Sequence, residues 1–261
     1  MTSDKMSHPS HPEHPLQKVN YQNEYTCDGC KMKGTRERYR CEKCDFDLHI
    51  DCVTCPNITV QGQNCQFLEK PRLGIHCKKV DCTECRSCDA CGMTIKGFVY
   101  HCRTTDWDFH PRCAKLEDQI TIDDVMFRLE KQQPSSCAWC NKKRLKGGYK
   151  KIPGWSYVSN KNDGYNFHVY CVMEMAMQNL SSALQAMNQP EVKTKSKKLS
   201  HGLSSTSNKW VNVLKAFLGA VFSILLGDPT TLIGSTMAHL VIQGLLQAGS
   251  ICLTTPQISV Y

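Results

Sequence analysis

The sequence predicts small α+β fingers in tandem, each held together by metal, followed by an α-helical hairpin. Three observations carry this reading. The chain of 261 residues holds 18 cysteines and 10 histidines. Its cysteines recur as Cys-x2-Cys pairs, each followed later by His-x2-Cys. Its last third is apolar in two long runs separated by Gly227-Asp228-Pro229.

Composition shows why the fingers need metal. Aromatic residues make up 8% of the chain, and the mean hydropathy is −0.41. Segments of such length and polarity bury too little apolar surface to fold by a core alone, so disulfides or metals must hold them. The N-terminus, Met1-Thr2-Ser3-Asp4-Lys5-Met6-Ser7-His8-Pro9, has neither an apolar stretch nor a small-residue cleavage site. It is not read as a secretory signal. The chain is therefore expected inside the cell, in cytoplasm or nucleus, where thiols stay reduced and bind metal rather than pairing.

The repeats come in order along the chain. The first copy is Cys27-x2-Cys30, Cys41-x2-Cys44 and His49-x2-Cys52. An offset of 61 residues carries Tyr39 to Tyr100, Cys41 to Cys102, His49 to His110 and Cys52 to Cys113, and the pair Cys88-x2-Cys91 falls in step. The third copy keeps Cys137-x2-Cys140 and His168-x2-Cys171, with nine more residues between them. A signature precedes each histidine: Phe46-Asp47-Leu48-His49, Trp107-Asp108-Phe109-His110 and Tyr165-Asn166-Phe167-His168. Its alternation predicts a short strand, with Phe46 and Leu48 on one face, and the His-x2-Cys that follows opens a short helix.

Cys-x2-Cys places two thiolates on a tight turn, aimed at one point. Zinc takes four such ligands in a tetrahedron, at about 2.3 Å for sulfur and 2.0–2.1 Å for nitrogen. The series His14-x12-Cys27-x2-Cys30-x10-Cys41-x2-Cys44-x4-His49-x2-Cys52 resembles the plant cysteine/histidine-rich divergent C1 family, relatives of the phorbol-ester and diacylglycerol zinc finger. The resemblance covers roughly residues 8 to 175. It implies a cross-brace, in which Cys27, Cys30, His49 and Cys52 hold one Zn2+ while Cys41, Cys44 and His14 hold the other. The family's trailing ligand falls at Val60, so the fourth ligand is left between His11, the first choice, and Cys55.

In the second copy Cys88, Cys91, His110 and Cys113 are intact, but Thr105 stands where the pattern has Cys. The resemblance would build a second site from His76, Cys102 and two of Cys77, Cys82 and Cys85; otherwise these are free surface thiols. The third copy retains Cys137, Cys140, His168 and Cys171, and an insert rich in Lys, Gly and Asn replaces the middle pair. The expected count is three to five Zn2+ per chain. Each structural zinc supplies on the order of 10–16 kcal/mol in finger peptides.

The expected units are a two-zinc module at 8–56, a second at 75–118 with a degenerate outer site, a one-zinc module at 134–175, a helix at 172–189, a basic linker at 190–208 and a helical hairpin at 209–250. Gly227 suits a helix end, and Asp228 an N-cap with Pro229 in the first turn. Polar stripes at Asn212, Lys215, Gly219 and Ser223, and at Thr236, His239, Gln243 and Gln247, follow helical spacing. A span needs about 20 apolar residues, and the run from Trp210 to Leu226 is shorter and carries Lys215. Packing on the zinc modules or on a partner chain is the leading expectation for the hairpin, with membrane contact second. His239 is read as a stripe residue and Cys252 as a free thiol.

A closed four-ligand site has no open position for water, which favours structure over catalysis. Thioredoxin-type chemistry would need Cys-x2-Cys at a helix start in a strand–helix–strand fold. A ubiquitin-ligase RING would place its histidine segment between the Cys-x2-Cys pairs. Neither order occurs, and no phosphate loop or Ser/His/Asp arrangement is present. The charged run Lys31-Met32-Lys33-Gly34-Thr35-Arg36-Glu37-Arg38 offers no apolar cleft for diacylglycerol. The net charge of +8 admits anionic partners. Yet the basic cluster Lys193, Lys195, Lys197 and Lys198 lies in the linker, and no aromatics alternate with it as nucleic-acid stacking requires. The expected function is a zinc-dependent protein-interaction module without a small-molecule substrate, placed in plant signalling or stress responses by the resemblance alone. The alternatives are a peripheral membrane protein and a redox or ligase-like protein.

Overall fold

The computed structural model describes residues 5–72, 86–131, 135–143, 154–160, 165–188, 205–227 and 231–247. Its strands form three four-stranded antiparallel sheets, one for each repeat. The first orders β1 (Lys5–His8), β2 (His11–Thr26), β3 (Lys33–Cys41) and β4 (Phe46–His49), with helix α1 (Ile50–Val53) following. The second orders β5 (Ile58–Val60), β6 (Gln63–Leu68), β7 (Val99–Cys102) and β8 (Trp107–Phe109), followed by a 3-10 turn at Cys113–Lys115. The third joins β9 (Gln119–Ile122), β10 (Val125–Glu130), β11 (Ser156–Ser159) and β12 (Asn166–His168), and runs straight into helix α2 (Val169–Asn188).

Each sheet is the same device. A hairpin is laid down first, then a strand bearing a tyrosine, then the signature strand. The tyrosine pairs with the signature's apolar residue in every copy: Tyr39 with Leu48, Tyr100 with Phe109 and Tyr157 with Phe167. The second and third sheets begin at Ile58 and Gln119, well upstream of the starts at 75 and 134 read from the sequence. Those starts followed the ligands, and the leading hairpins of the second and third sheets carry none. Their turns were legible by another signal. Gln61 and Gly62 both take positive φ (50° and 74°) between β5 and β6, as a two-residue hairpin turn of type I′ demands.

The sheets stack by a contact used twice. The backbone N–H of Phe98 donates to the Gly29 carbonyl of the first Cys-x2-Cys turn, at 3.0 Å. The N–H of Trp155 donates to the Ala90 carbonyl of the second, also at 3.0 Å. Phe98 is thereby buried among Leu16, Tyr25 and Leu48 of the first module. Trp155 packs edge-on against Trp107 and Phe109 of the second. A Cβ on Gly97 would collide with the Gly29 carbonyl oxygen, so only glycine permits so close an approach.

Helices α2, α3 (Ser205–Leu226) and α4 (Leu232–Gln247) form a layer over the third sheet. Phe217 of α3 stacks on Phe127 with centroids 4.0 Å apart, and meets Tyr157 edge-on. Gly227 ends α3 with φ of +63°, the left-handed close of a helix. The stripe reading needs one correction. Asn212 faces solvent, but Gly219 and Ser223 are buried. Gly219 approaches the Ser235 backbone of α4, and Gly234 of α4 lies against Ser223. Small residues there let two helix backbones come together. The segment Lys209–Leu226 is long and apolar enough to cross a membrane, and 61% of it is buried inside the protein. The basic linker (apart from its last four residues, which open α3), Asp228, Pro229 and Cys252 lie outside the described residues.

Candidate metal centres

The three Cys-x2-Cys turns share one backbone. The residue after the second cysteine is left-handed in each: Lys31 (φ 62°), Gly92 (71°) and Asn141 (53°). That reversal lets its N–H reach back to the first cysteine's carbonyl, at 2.8, 2.7 and 2.9 Å. The next residue's carbonyl accepts from the first cysteine's N–H, at 3.0, 2.8 and 3.0 Å. Each turn is also tied to its signature strand. Asp28 N–H donates to the Asp47 carbonyl, Asp89 N–H to Asp108 and Ala138 N–H to Asn166. The carboxylates of Asp28 and Asp89 return the bond, accepting from the N–H of Asp47 and Asp108. The turn and the strand end that bears the histidine are thus one rigid piece.

Among the described residues four groups of ligand-type side chains result, each with its donor atoms within 4.8 Å of one another. Cys27, Cys30, His49 and Cys52 form the first, all buried. Cys88, Cys91, His110 and Cys113 form the second, also buried throughout. Cys137, Cys140, His168 and Cys171 form the third, with Cys140 half-exposed. His11, His14, Cys41 and Cys44 form an outer group, with both histidines half-buried and Cys44 exposed. In the first three the histidine presents Nδ1. It lies 3.3 Å from Cys30 Sγ in the first, 3.5 Å from Cys91 in the second, and 3.3 and 3.4 Å from Cys140 and Cys171 in the third. In the outer group His14 Nδ1 lies 3.3 Å from Cys44 Sγ.

These spacings suit one tetrahedral zinc ion. Ligands at about 2.0–2.3 Å from a common centre stand roughly 3.3–3.8 Å apart. The chemistry of the groups agrees. His110 Nε2 lies 3.3 Å from the Thr94 carbonyl, which only an Nε2–H can satisfy, so the neutral ring turns its Nδ1 lone pair to the sulfurs. Burial opposes charge on this ring, yet Cys91 and Cys88 hold it well above its usual range, so a cation here would take the place of a proton. Burial opposes charge on Cys27 and Cys88, yet neighbouring cysteines and histidine hold both thiols well below their usual range. Hydrogen bonding from Cys171 takes Cys137 down to about 3. Their partners Cys52 and Cys113 are driven the other way by those same cysteines. Three buried sulfurs that cannot all ionise together are a cluster that a divalent cation would resolve.

Several expectations change here. His11 joins the outer group, its ring stacked on Phe46 at 4.6 Å, and its buried Nε2 has no hydrogen-bond partner. Cys55 stands apart, its thiol donating to the Asp51 carbonyl. Val60 is buried in the hairpin of the second sheet. Cys102 belongs to no ligand group among the described residues; it is joined to Cys65 as a disulfide. His76, Cys77, Cys82 and Cys85 lie outside the described residues.

Strand register explains the exchange. Across the middle strands of the three sheets, equivalent positions hold Leu16 opposite Cys41, Cys65 opposite Cys102 and Phe127 opposite Ser159. The first module puts a metal ligand in this place, the second a covalent bond, and the third a buried serine opposite Phe127. Around the disulfide, Thr104 Oγ1 donates to Gln63 Oε1 at 2.6 Å, where the first module has its outer ligands. Cys65 escaped sequence reading because it belongs to no Cys-x2-Cys; its signal was its place on an alternating strand, Gln63 to Leu68.

Arg112 was likewise missed. It lies between ligands His110 and Cys113 and is buried. Its guanidinium donates to the carbonyls of Lys33 in the first module and Leu225 at the end of α3, both at 3.3 Å, and faces Asp51. One cation therefore joins two ligand groups and the helical layer.

Residues 9–53 match the model of the C1 domain family. That is the divergent C1 zinc-finger type expected from the ligand series, and the match spans both ligand groups of the first module. A stretch of 29 residues is 55% identical to "Probable nucleoredoxin 1" of Arabidopsis thaliana, covering 11% of this chain and 5% of that protein. No solved structure matches.

Proposed function

We propose that this chain is a zinc-dependent protein-interaction scaffold and not an enzyme. One observation carries the reading: each ligand group is complete at four donors, and three of the four lie inside the fold. Zinc held by four protein ligands has no open position for water or substrate, so its contribution is to folding. The ligands also lie on turns and strands that position neighbouring modules, so zinc would fix the spacing of the whole array. The likeness of the first module to plant C1 fingers supports a place in plant signalling or stress responses, inside the cell, through a protein partner.

Metal analysis of the purified full-length chain is expected to give at least four zinc per molecule, one for each group among the described residues. Near-zero zinc with paired cysteines would sink the proposal. Partner capture with the full chain beside Cys88→Ser tests the interaction: the variant should lose the partner, and equal capture by both would count against a zinc-dependent surface.

A further inference from the structure

The four ligand groups differ in how they meet solvent. The two inner groups of the first and second modules are sealed by the module that docks on their turn: Phe98 covers one and Trp155 the other. Every ligand in those groups is buried. In the outer group Cys44 is exposed, beside buried Cys41 and half-buried His11 and His14. Cys44 is the one ligand of the sixteen in these groups that is fully open to water.

The outer group also joins pieces far apart in sequence. Cys41 and Cys44 sit at the turn between β3 and β4, whereas His11 and His14 lie at the start of β2. Among the described residues only β1 flanks that stretch on its far side. Beneath it are Leu16, with no exposed surface, and His8, whose ring stacks on Phe98 of the second module at 6.1 Å. Phe98 in turn meets Phe67 at 5.1 Å. The N-terminal hairpin is thus a cover over an apolar seam between modules, fastened at one end by a ligand group with an open thiol.

We propose that Cys44 and Cys41 are the oxidant-responsive thiol pair of this chain, and that hydrogen peroxide converts them to a disulfide, undoing the outer metal centre and freeing the hairpin over residues 5–17. This rests on the zinc reading above. The chemistry balances in two steps. Cys44 Sγ attacks one peroxide oxygen, the O–O bond breaks, and a sulfenic acid forms with loss of hydroxide. Cys41 Sγ then attacks the sulfenic sulfur, the S–S bond forms and a second hydroxide leaves. Two electrons pass from sulfur to the peroxide, and two protons from solvent complete two waters. Two of four ligands are lost, and two histidines alone hold zinc weakly. Exposure selects Cys44, since a reactive thiolate must be reached by the oxidant, and buried Cys41 is the neighbouring sulfur that resolves it.

The test uses the zinc-loaded full chain and hydrogen peroxide added stepwise. Zinc release is followed with a chelating dye, thiols by alkylation and peptide mass, and backbone opening by hydrogen exchange. One of the four equivalents should leave first, together with loss of alkylation at Cys41 and Cys44 and faster exchange confined to residues 5–17. The remaining zinc should leave at least about tenfold more slowly. A Cys44→His variant, which keeps four donors but cannot form the disulfide, should retain its zinc through the first phase. Parallel release from all four groups, first oxidation at Cys140, or an unchanged first phase in Cys44→His would each overturn the proposal. A chain that binds no zinc before peroxide is added sinks the scaffold reading as well; a four-zinc chain without selective release sinks this inference alone.

Discussion

Arg112 shows how much one side chain can decide. It is 3% exposed, and its partners come from three separate parts of the chain: Lys33, Asp51 and Leu225. Zinc with three thiolates carries a net negative charge, and Arg112 lies in chain between two ligands of one such group and reaches toward the other. Arg112→Met keeps most of the volume and removes the donors. It leaves the Lys33 and Leu225 carbonyls without their bond, a cost of about 1–3 kcal/mol, read as a lower urea midpoint with zinc still bound. Nothing in the sequence marked this arginine. It follows a proline inside a ligand motif, and its partners are 79 and 113 residues away. The ligands themselves were legible because metal geometry imposes short fixed spacings. His11 was recoverable as a choice between two residues, whereas the Cys65–Cys102 pair was not, because strand register and not spacing brings them together.

The stacking contact belongs to the scale of elements. Gly97→Ala would push a methyl into the Gly29 carbonyl and separate the first two modules. A cost of about 1–3 kcal/mol is expected, as for overpacking elsewhere, with a fall in melting temperature and no loss of bound zinc. Phe217 is the matching contact of α3 with the third sheet, fully buried against Phe127, Tyr157 and Phe167. Phe217→Ala should cost about 3–5 kcal/mol and raise hydrogen exchange in α3 and α4 before it does so in the zinc modules. The signature strands and the hairpin helices were visible in the sequence through their periods of two and of three to four. The leading hairpins of the second and third sheets leave no such mark, because their short strands carry no ligands and no motif of fixed spacing. The buried side of Gly219 and Ser223 was missed for a related reason. A stripe of small polar residues reads alike whether it faces water or a close helix, and only the partner helix decides.

For the whole molecule, metal and core are not independent supports. The second and third modules share one apolar cluster with the three helices, and that cluster includes Cys88, Cys91, Cys113, Cys137 and Cys171. Chelation with EDTA should therefore loosen the helical layer together with the modules, seen as loss of near-ultraviolet signal from Trp107, Trp155 and Trp210 in one transition. Liposome flotation of the full chain and of a form lacking 209–261 checks whether the apolar helices also serve a membrane; binding that follows their presence would support that role.

The direction of stacking has a last consequence. Each module accepts its successor at the second x of Cys-x2-Cys, and that residue is Gly29, then Ala90, then Trp139. A Cβ at Gly29 would point at the ring of Phe98, so a large side chain there occupies the seat that an incoming aromatic needs. At the other end, the first module carries Arg36-Glu37 where its successors carry Gly97-Phe98 and Gly154-Trp155, and so has no plug of its own. Stacking is therefore directional: a turn with a small residue at this place seats the aromatic residue of the module that follows it in the chain.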